Sequence, residues 1–126
     1  MHKIGILGCG WLGFPLAEIL IKKGFDVKGT STSLEKVEQL NKMGVKSCHF
    51  LFNSKEISTS RFFKSIDTLV ITIPFIKRKK ESGYDYRLID LLIKRIENES
   101  IKKVIYLSSI SAVSYTHLRA HETFAN

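Results

Sequence analysis

Short apolar segments alternate with longer segments of helical periodicity over the first 107 residues. The strand-type segments are rich in apolar and β-branched residues and lie at residues 3–7, 25–29, 46–52, 67–73 and 103–107. Segments with apolar residues every three or four positions predict helices at residues 14–23, 33–43 and 84–99, with a shorter helical crossover at 58–65. Strands alternating with helices predict an α/β fold, a doubly wound parallel sheet with strand order 3-2-1-4-5.

Length and composition are those of one globular domain. The chain has 126 residues, of which 44% are hydrophobic and 25% charged, so it can form a packed core. A complete six-strand dinucleotide fold with a substrate region needs more chain, which predicts a truncated Rossmann domain. The apolar segments are too short to span a bilayer, and the amino terminus leads directly into a strand pattern without a secretory signal. We therefore expect a cytoplasmic protein with no membrane partner.

A net charge of +8 raises the question of nucleic acid. The basic residues are scattered along the helices, apart from the runs at 77–80 and 102–103. Such scattering is typical of solvated helix faces, and we expect no nucleic-acid partner. A phosphate-bearing small molecule is compatible with the positive charge.

Gly8, Gly10 and Gly13 form a G-x-G-x-x-G loop between the first strand and the first helix. In this context the loop directs backbone N–H groups and the positive helix end toward a pyrophosphate. Gly8 permits the turn, Gly10 lets phosphates approach, and Gly13 lets the helix pack closely. Trp11 and Leu12 complete the predicted dinucleotide-binding loop, and a purely structural turn is the alternative.

The end of the second strand carries Thr30, Ser31 and Thr32 where NAD-binding domains have a carboxylate. These hydroxyls, with Lys28 and Lys36 nearby, suit a phosphate, so NADP is favoured over NAD. The arginine that often marks NADP sites is absent. The alternative is that the hydroxyls only cap the second helix, where Thr32 to Glu35 have the spacing of a capping box.

Together, residues 8–17, the Thr/Ser stretch, residues 70–74 and residues 104–109 resemble the atypical extended short-chain dehydrogenase/reductases, the NAD(P)-dependent epimerase/dehydratase-like proteins. The resemblance covers residues 1 to about 113. It implies that Ile73 and Pro74 lie near the cofactor. It also implies a catalytic serine that hydrogen-bonds the substrate; Ser109 is our choice. Ser108 and Ser111 are alternatives, and a role in capping the fifth strand stays open.

The family's Tyr-x-x-x-Lys pair is absent. Tyr115 and Arg119 imitate the spacing but follow Ser109 too closely, and residues 114–123 resemble the translation of a sequencing adapter. We therefore expect a domain at residues 1–113 and a non-native tail at 114–126. His117 and His121 stand four residues apart in that tail, and we expect no metal site there.

These observations predict a fragment of an NAD(P)-dependent oxidoreductase or epimerase. Its full-length parent would act on a carbonyl or sugar-like small molecule, and this chain would be catalytically incomplete. One alternative is a nucleotide-sensing Rossmann module that does not catalyse. Another is an enzyme of the β-hydroxyacid dehydrogenase type, which would continue into an all-helical domain.

Overall fold

The computed structural model describes residues 2–73, 86–107, 112–116 and 123–125. Its strands are β1 (Lys3–Leu7), β2 (Asp26–Ser31), β3 (Lys46–His49), β4 (Thr68–Ile71), β5 (Lys103–Leu107), β6 (Ala112–Thr116) and β7 (Thr123–Ala125). Its helices are α1 (Gly13–Lys22), α2 (Leu34–Met43), α3 (Ser54–Thr59) and α4 (Tyr86–Glu97), and a 3₁₀ turn spans Arg61–Phe63.

The strands form one sheet in the order β3-β2-β1-β4-β5-β6-β7. Strands β1 to β5 are parallel to one another, so the predicted order 3-2-1-4-5 is confirmed. In addition, β6 pairs with β5 antiparallel, and β7 pairs with β6 in the same way. This antiparallel extension was not predicted, and most of it lies in the segment expected to be a non-native tail. The boundary after residue 113 stays a prediction.

Two apolar clusters pack on the sheet. One joins α3, α4 and the 3₁₀ turn to the strands, and its fully buried members include Phe63 and Leu69. The other joins α1 and α2 to the strands around Ile6, Val27 and Leu40. Central strand β4 is buried along its whole length, as expected for a strand covered on both faces. A parallel sheet covered in this way leaves its carboxyl edge as the place where ligands bind.

Helix α2 begins one residue later than the capping-box spacing predicted. Ser33 is the N-cap, and its side chain accepts a hydrogen bond from the N–H of Lys36. Thr32 was expected in that role, but it lies just outside the helix. The helix ends at Met43, the predicted bound, and Gly44 follows it in a left-handed conformation with φ of 101°.

The crossover between β3 and β4 also differs from the prediction. Helix α3 starts after Asn53, whose side chain accepts a hydrogen bond from the N–H of Glu56. It stops at Ser60, whose hydroxyl accepts from Phe62 and starts the 3₁₀ turn. Two polar caps therefore divide the segment, where helical periodicity alone had suggested one helix at residues 58–65. None of the helices within the described ranges is long and apolar enough to cross a bilayer.

Candidate functional site

The glycine loop, residues 8–13, joins the end of β1 to the start of α1 at the carboxyl edge of the sheet. Gly8 has a φ of 105°, in the region that favours glycine. A Cβ atom on Gly13 would lie 2.3 Å from the carbonyl oxygen of Gly8. Both positions therefore require glycine for a purely structural reason: the turn is tight and the helix starts against it.

Neither packing nor backbone conformation requires glycine at position 10. A Cβ atom there would meet nothing within 4 Å, and the backbone is not left-handed. The neighbouring Trp11 side chain is 85% exposed. The loop is thus open at Gly10, which is what an approaching phosphate needs and what a purely structural turn does not explain.

The backbone N–H groups of the loop divide into two sets. Those of Gly8 and Cys9 donate inward to Thr30, at 2.9 Å to its hydroxyl and 2.7 Å to its carbonyl oxygen. Within the described part of the chain, no residue accepts a hydrogen bond from the N–H groups of residues 10–13. Leu12 is the N-cap of α1 and provides no side-chain cap. Unpaired N–H groups at a positive helix end form a site suited to a pyrophosphate, so these residues fit a dinucleotide.

Cys9 faces the opposite direction from Trp11. Its side chain is buried, and a Cβ atom on Gly29 would lie 2.8 Å from its sulfur atom. Burial raises the pKa of the Cys9 thiol to about 11. Cys9 is therefore a packing residue. Leu12, by contrast, is 37% exposed and remains accessible beside Trp11.

Cys9 is expected to resist thiol reagents in the folded chain. A thiol with a pKa of about 11 is only about one part in a thousand thiolate near pH 8, and thiolate is the reactive form. In a Cys48→Ala variant, which leaves one thiol, release of thionitrobenzoate from Ellman's reagent should be slow and should become fast in urea. Because the raised pKa favours the protonated folded state, stability should also fall as pH rises from about 9 toward 11. Equal rates of thionitrobenzoate release with and without urea would contradict the burial of the Cys9 thiol.

The hydroxyls at the end of β2 have different surroundings. Thr30 is 1% exposed, and its hydroxyl accepts the hydrogen bond from the N–H of Gly8 in the glycine loop. Ser31 is also buried, and its hydroxyl accepts from the N–H of Ser33 at 3.1 Å. Thr32 is exposed. The capping alternative thus accounts for Ser31 and Ser33, and Thr32 presents a hydroxyl to solvent. Direct cofactor contacts by all three predicted residues stay predictions.

The two lysines expected near a phosphate lie in different places. Lys28 donates to the carbonyl oxygens of Arg61 and Lys64, at 3.2 and 2.8 Å, on the 3₁₀-turn side of the sheet. Its expected part in phosphate binding is therefore not supported: the ammonium already has carbonyl partners on that side. Lys36 lies 5.1 Å from the ring centre of Phe14 in α1, so its charge is beside the helix that follows the glycine loop.

His49 was missed by the sequence analysis. It pairs with Ser31 at the end of β3, and its Nε2 lies 3.1 Å from the carbonyl oxygen of Thr32. A carbonyl oxygen only accepts, so Nε2 carries the hydrogen. The imidazole is exposed and adjoins the predicted cofactor residues. The predicted neighbour relation of strands 2 and 3 could have identified it, because parallel strands end at the same edge.

The end of β4 approaches the loop from the other side. The hydroxyl of Thr72 donates to the carbonyl oxygen of Gly8, and a Cβ atom on Gly8 would lie 2.8 Å from Ile73 Cγ1. Ile73 is thus beside the glycine loop, and its contact with the cofactor stays a prediction. Pro74, the candidate catalytic Ser109 and its alternatives Ser108 and Ser111 lie outside the described residues, as do His117 and His121. In the described ranges, no three His, Cys, Asp or Glu side chains are grouped so as to hold a metal ion.

The family model for the NAD-binding domain of 6-phosphogluconate dehydrogenase matches residues 3–114. The chain belongs to this NAD-binding family. The curated Protein YeeZ of Escherichia coli K12 is 29% identical over 114 residues, which cover 88% of this chain and 42% of YeeZ. This NAD-binding domain therefore spans less than half the length of that relative.

Solved structures share the fold of the domain. Citrobacter triphenylmethane reductase complexed with NADP(H) superposes with a TM-score of 0.59 at 18% identity, covering 83% of this chain and 36% of the reductase. A variant of Myxococcus stipitatus imine reductase in complex with NAD⁺ gives 0.56 at 17% identity, covering 88% and 32%. These structures confirm the predicted Rossmann fold. The family model confirms a dinucleotide cofactor, as expected for an NAD(P)-binding domain of the oxidoreductase type. The narrower resemblance to extended short-chain dehydrogenase/reductases stays a prediction.

Proposed function

We propose that this chain is the NADP-binding part of an oxidoreductase or epimerase that acts on a carbonyl or sugar-like small molecule. The observation that carries the cofactor preference is the end of β2, which presents an exposed hydroxyl and no carboxylate. The relatives in fold include one complex with NADP(H) and one with NAD⁺, so the preference rests on the residues of this chain.

A carboxylate at the end of β2 would accept hydrogen bonds from the adenosine ribose and repel a 2′-phosphate. Here Thr32 occupies the turn into α2, with the His49 imidazole against its carbonyl oxygen. Lys36 follows in the first turn of α2, whose positive end favours anions. Glu35 is the nearest carboxylate in the sequence after the strand, and it lies within α2, beyond the Ser33 cap. The exposed hydroxyl, the lysine and the lack of a carboxylate at the end of β2 together favour a phosphate there.

Each part of the site has a separate task in this proposal. When bound, the dinucleotide supplies the hydride acceptor or donor. The N–H groups of residues 10–13 hold its pyrophosphate, and Thr32 with Lys36 holds the 2′-phosphate. Ser109 would hydrogen-bond the substrate carbonyl or hydroxyl in the full-length protein. The Tyr-x-x-x-Lys pair that would exchange the proton is absent from this sequence, so we expect the chain to bind cofactor and not to turn over.

NADPH is expected to bind at least about tenfold more tightly than NADH, a difference of about 1.4 kcal/mol that one well-placed phosphate contact can supply. The chain has a single tryptophan, Trp11, which is 85% exposed on the glycine loop. Its fluorescence provides the measurement in parallel titrations with the two dinucleotides. Equal affinities would refute the NADP preference, and no binding of either would refute the proposed function of this chain.

A charge variant tests the position of the 2′-phosphate. Thr32→Asp places a carboxylate at the end of β2 and should remove or reverse the preference for NADPH. Thr59→Asp is the matched control, because it makes the same charge change at an exposed threonine of α3, on the other side of the sheet. We expect the control to keep the wild-type ratio of affinities.

A second candidate is the β-hydroxyacid dehydrogenase type. The match to the 6-phosphogluconate dehydrogenase NAD-binding domain favours it. The natural gene that encodes the longer protein distinguishes the two: a Tyr-x-x-x-Lys pair after β5 supports the short-chain type, and a continuation into helices alone supports the β-hydroxyacid type. Both candidates use the glycine loop in the same way.

A further inference from the structure

We propose that Thr30 and Thr72 are positioning residues that hold the Gly8 peptide from both sides and so preset the dinucleotide loop. The inference rests on the proposed function, since its consequence is measured as cofactor affinity. Neither residue belongs to the glycine motif: Thr30 lies in β2 and Thr72 directly follows β4, both distant from the motif in sequence.

Thr30 holds the amide side. Its hydroxyl oxygen accepts the N–H of Gly8 at 2.9 Å, and its carbonyl oxygen accepts the N–H of Cys9 at 2.7 Å. Thr30 is 1% exposed, so water does not compete for these bonds. One residue of β2 thereby fixes two successive peptide groups at the entrance of the loop.

Thr72 holds the carbonyl side. The single hydrogen of its hydroxyl is shared between the carbonyl oxygens of Gly8 and Leu7, the latter 3.2 Å from Oγ1, and its N–H donates to the carbonyl oxygen of Leu7 at 3.0 Å. The peptide groups on either side of Gly8 thus have one hydroxyl partner from β2 and one from the residue that follows β4. Gly8 is the residue with φ of 105°, where the chain reverses, so its orientation sets the direction of the N–H groups that follow.

A loop held in its binding conformation loses less conformational entropy when the ligand arrives. Removing either hydroxyl leaves the Gly8 peptide with one partner fewer and lets residues 10–13 sample other orientations. The effect should therefore appear as weaker cofactor binding and as faster exchange of the loop amide hydrogens, beyond any change in global stability.

The test uses variants that keep shape or keep the hydroxyl. Thr30→Val and Thr72→Val remove the hydroxyl at nearly constant volume and should each weaken NADPH binding by about five- to tenfold. Thr30→Ser and Thr72→Ser keep the hydroxyl and should bind within about threefold of wild type. Amide hydrogen exchange of the peptide covering residues 8–14 should be faster in the valine variants and near wild type in the serine variants.

Thr68→Val is the matched control. Thr68 is a buried threonine of β4 whose hydroxyl pairs with His2 Nε2 at 2.7 Å, at the opposite edge of the sheet. Thr68→Val should lower the free energy of unfolding, as expected for the loss of a buried hydroxyl. It should change neither the affinity for NADPH nor the amide hydrogen exchange of residues 8–14. Wild-type affinity in both valine variants would overturn the inference, as would serine variants that bind as weakly as valine ones.

A failure of the proposed function is distinguishable from a failure of this inference. If the wild-type chain binds no dinucleotide, the proposed function fails, and hydrogen exchange alone decides the role of the two threonines. Faster exchange of residues 8–14 in the valine variants, with no change in Thr68→Val, would still support it. Unchanged exchange in the valine variants would overturn it.

Discussion

A Gly10→Ala variant is expected to lose at least about tenfold in dinucleotide affinity, or about 1.4 kcal/mol, while its free energy of unfolding stays within about 0.5 kcal/mol of wild type. The added methyl group meets nothing within 4 Å in the protein, so the folded chain accommodates it. The same methyl group would occupy the open face of the loop where phosphates approach. Titration through Trp11 fluorescence and urea unfolding measure the two quantities separately.

Gly13→Ala gives the contrasting result. Its Cβ atom would lie 2.3 Å from the Gly8 carbonyl oxygen, which is backbone and cannot rotate away. Stability should fall by about 1–3 kcal/mol as α1 moves away from the loop, and binding should fall with it. A Gly10→Ala variant that binds NADPH as wild type does would contradict the placement of the phosphates against this loop.

Replacing Arg95 with alanine is expected to lower the free energy of unfolding by about 3 kcal/mol or more. Its guanidinium donates to the carbonyl oxygens of Ile57, Ser58 and Ser60 at 2.8–2.9 Å, around the end of α3. Its Nε also bonds Glu99 at 2.9 Å, and both side chains are 11% exposed. Alanine would leave three carbonyl groups and a carboxylate without these partners, and urea unfolding measures the loss.

Lys94 provides the control on the same helix. It also forms an ion pair four residues away, with Asp90 at 3.1 Å, but both side chains are about two-thirds exposed. Lys94→Ala should therefore cost about 0.5 kcal/mol or less. Arg95→Lys should recover only part of the loss, because an ammonium cannot reproduce the planar set of donors. If Arg95→Ala and Lys94→Ala were equally stable, the network at the end of α3 would have no energetic importance.

Local sequence patterns predicted the parts of the site that lie together in the chain. A strand, three glycines and an amphipathic helix within residues 3–22 were sufficient to locate the loop between β1 and α1. The alternation of strands and helices was sufficient for the order of β1 to β5, because right-handed crossovers leave few arrangements. The crossover after β3 was predicted less well, since two polar caps, Asn53 and Ser60, interrupt its helical periodicity.

The electrostatic surroundings of the site were predicted less completely. Lys28 lies near the Thr/Ser stretch in sequence, yet its side chain, three residues before the end of β2, reaches the carbonyl oxygens of Arg61 and Lys64 instead. His49 was absent from the predicted site, yet its backbone pairs with Ser31. The partners come from the 3₁₀ turn and the residue after it for Lys28, and from the neighbouring strand for His49, so sequence distance did not indicate either contact.

The sequence alone determined three features: the fold, the glycine loop and the lack of a carboxylate after the second strand. Each of them depends on residue type and on spacing of a few positions. The tertiary structure determined which groups of the loop are already used and which remain open. Thr30 and Thr72 reach Gly8 from 22 and 64 residues away. Periodicity carries no information about such contacts, because they arise only when separate parallel strands end at the same edge of one sheet.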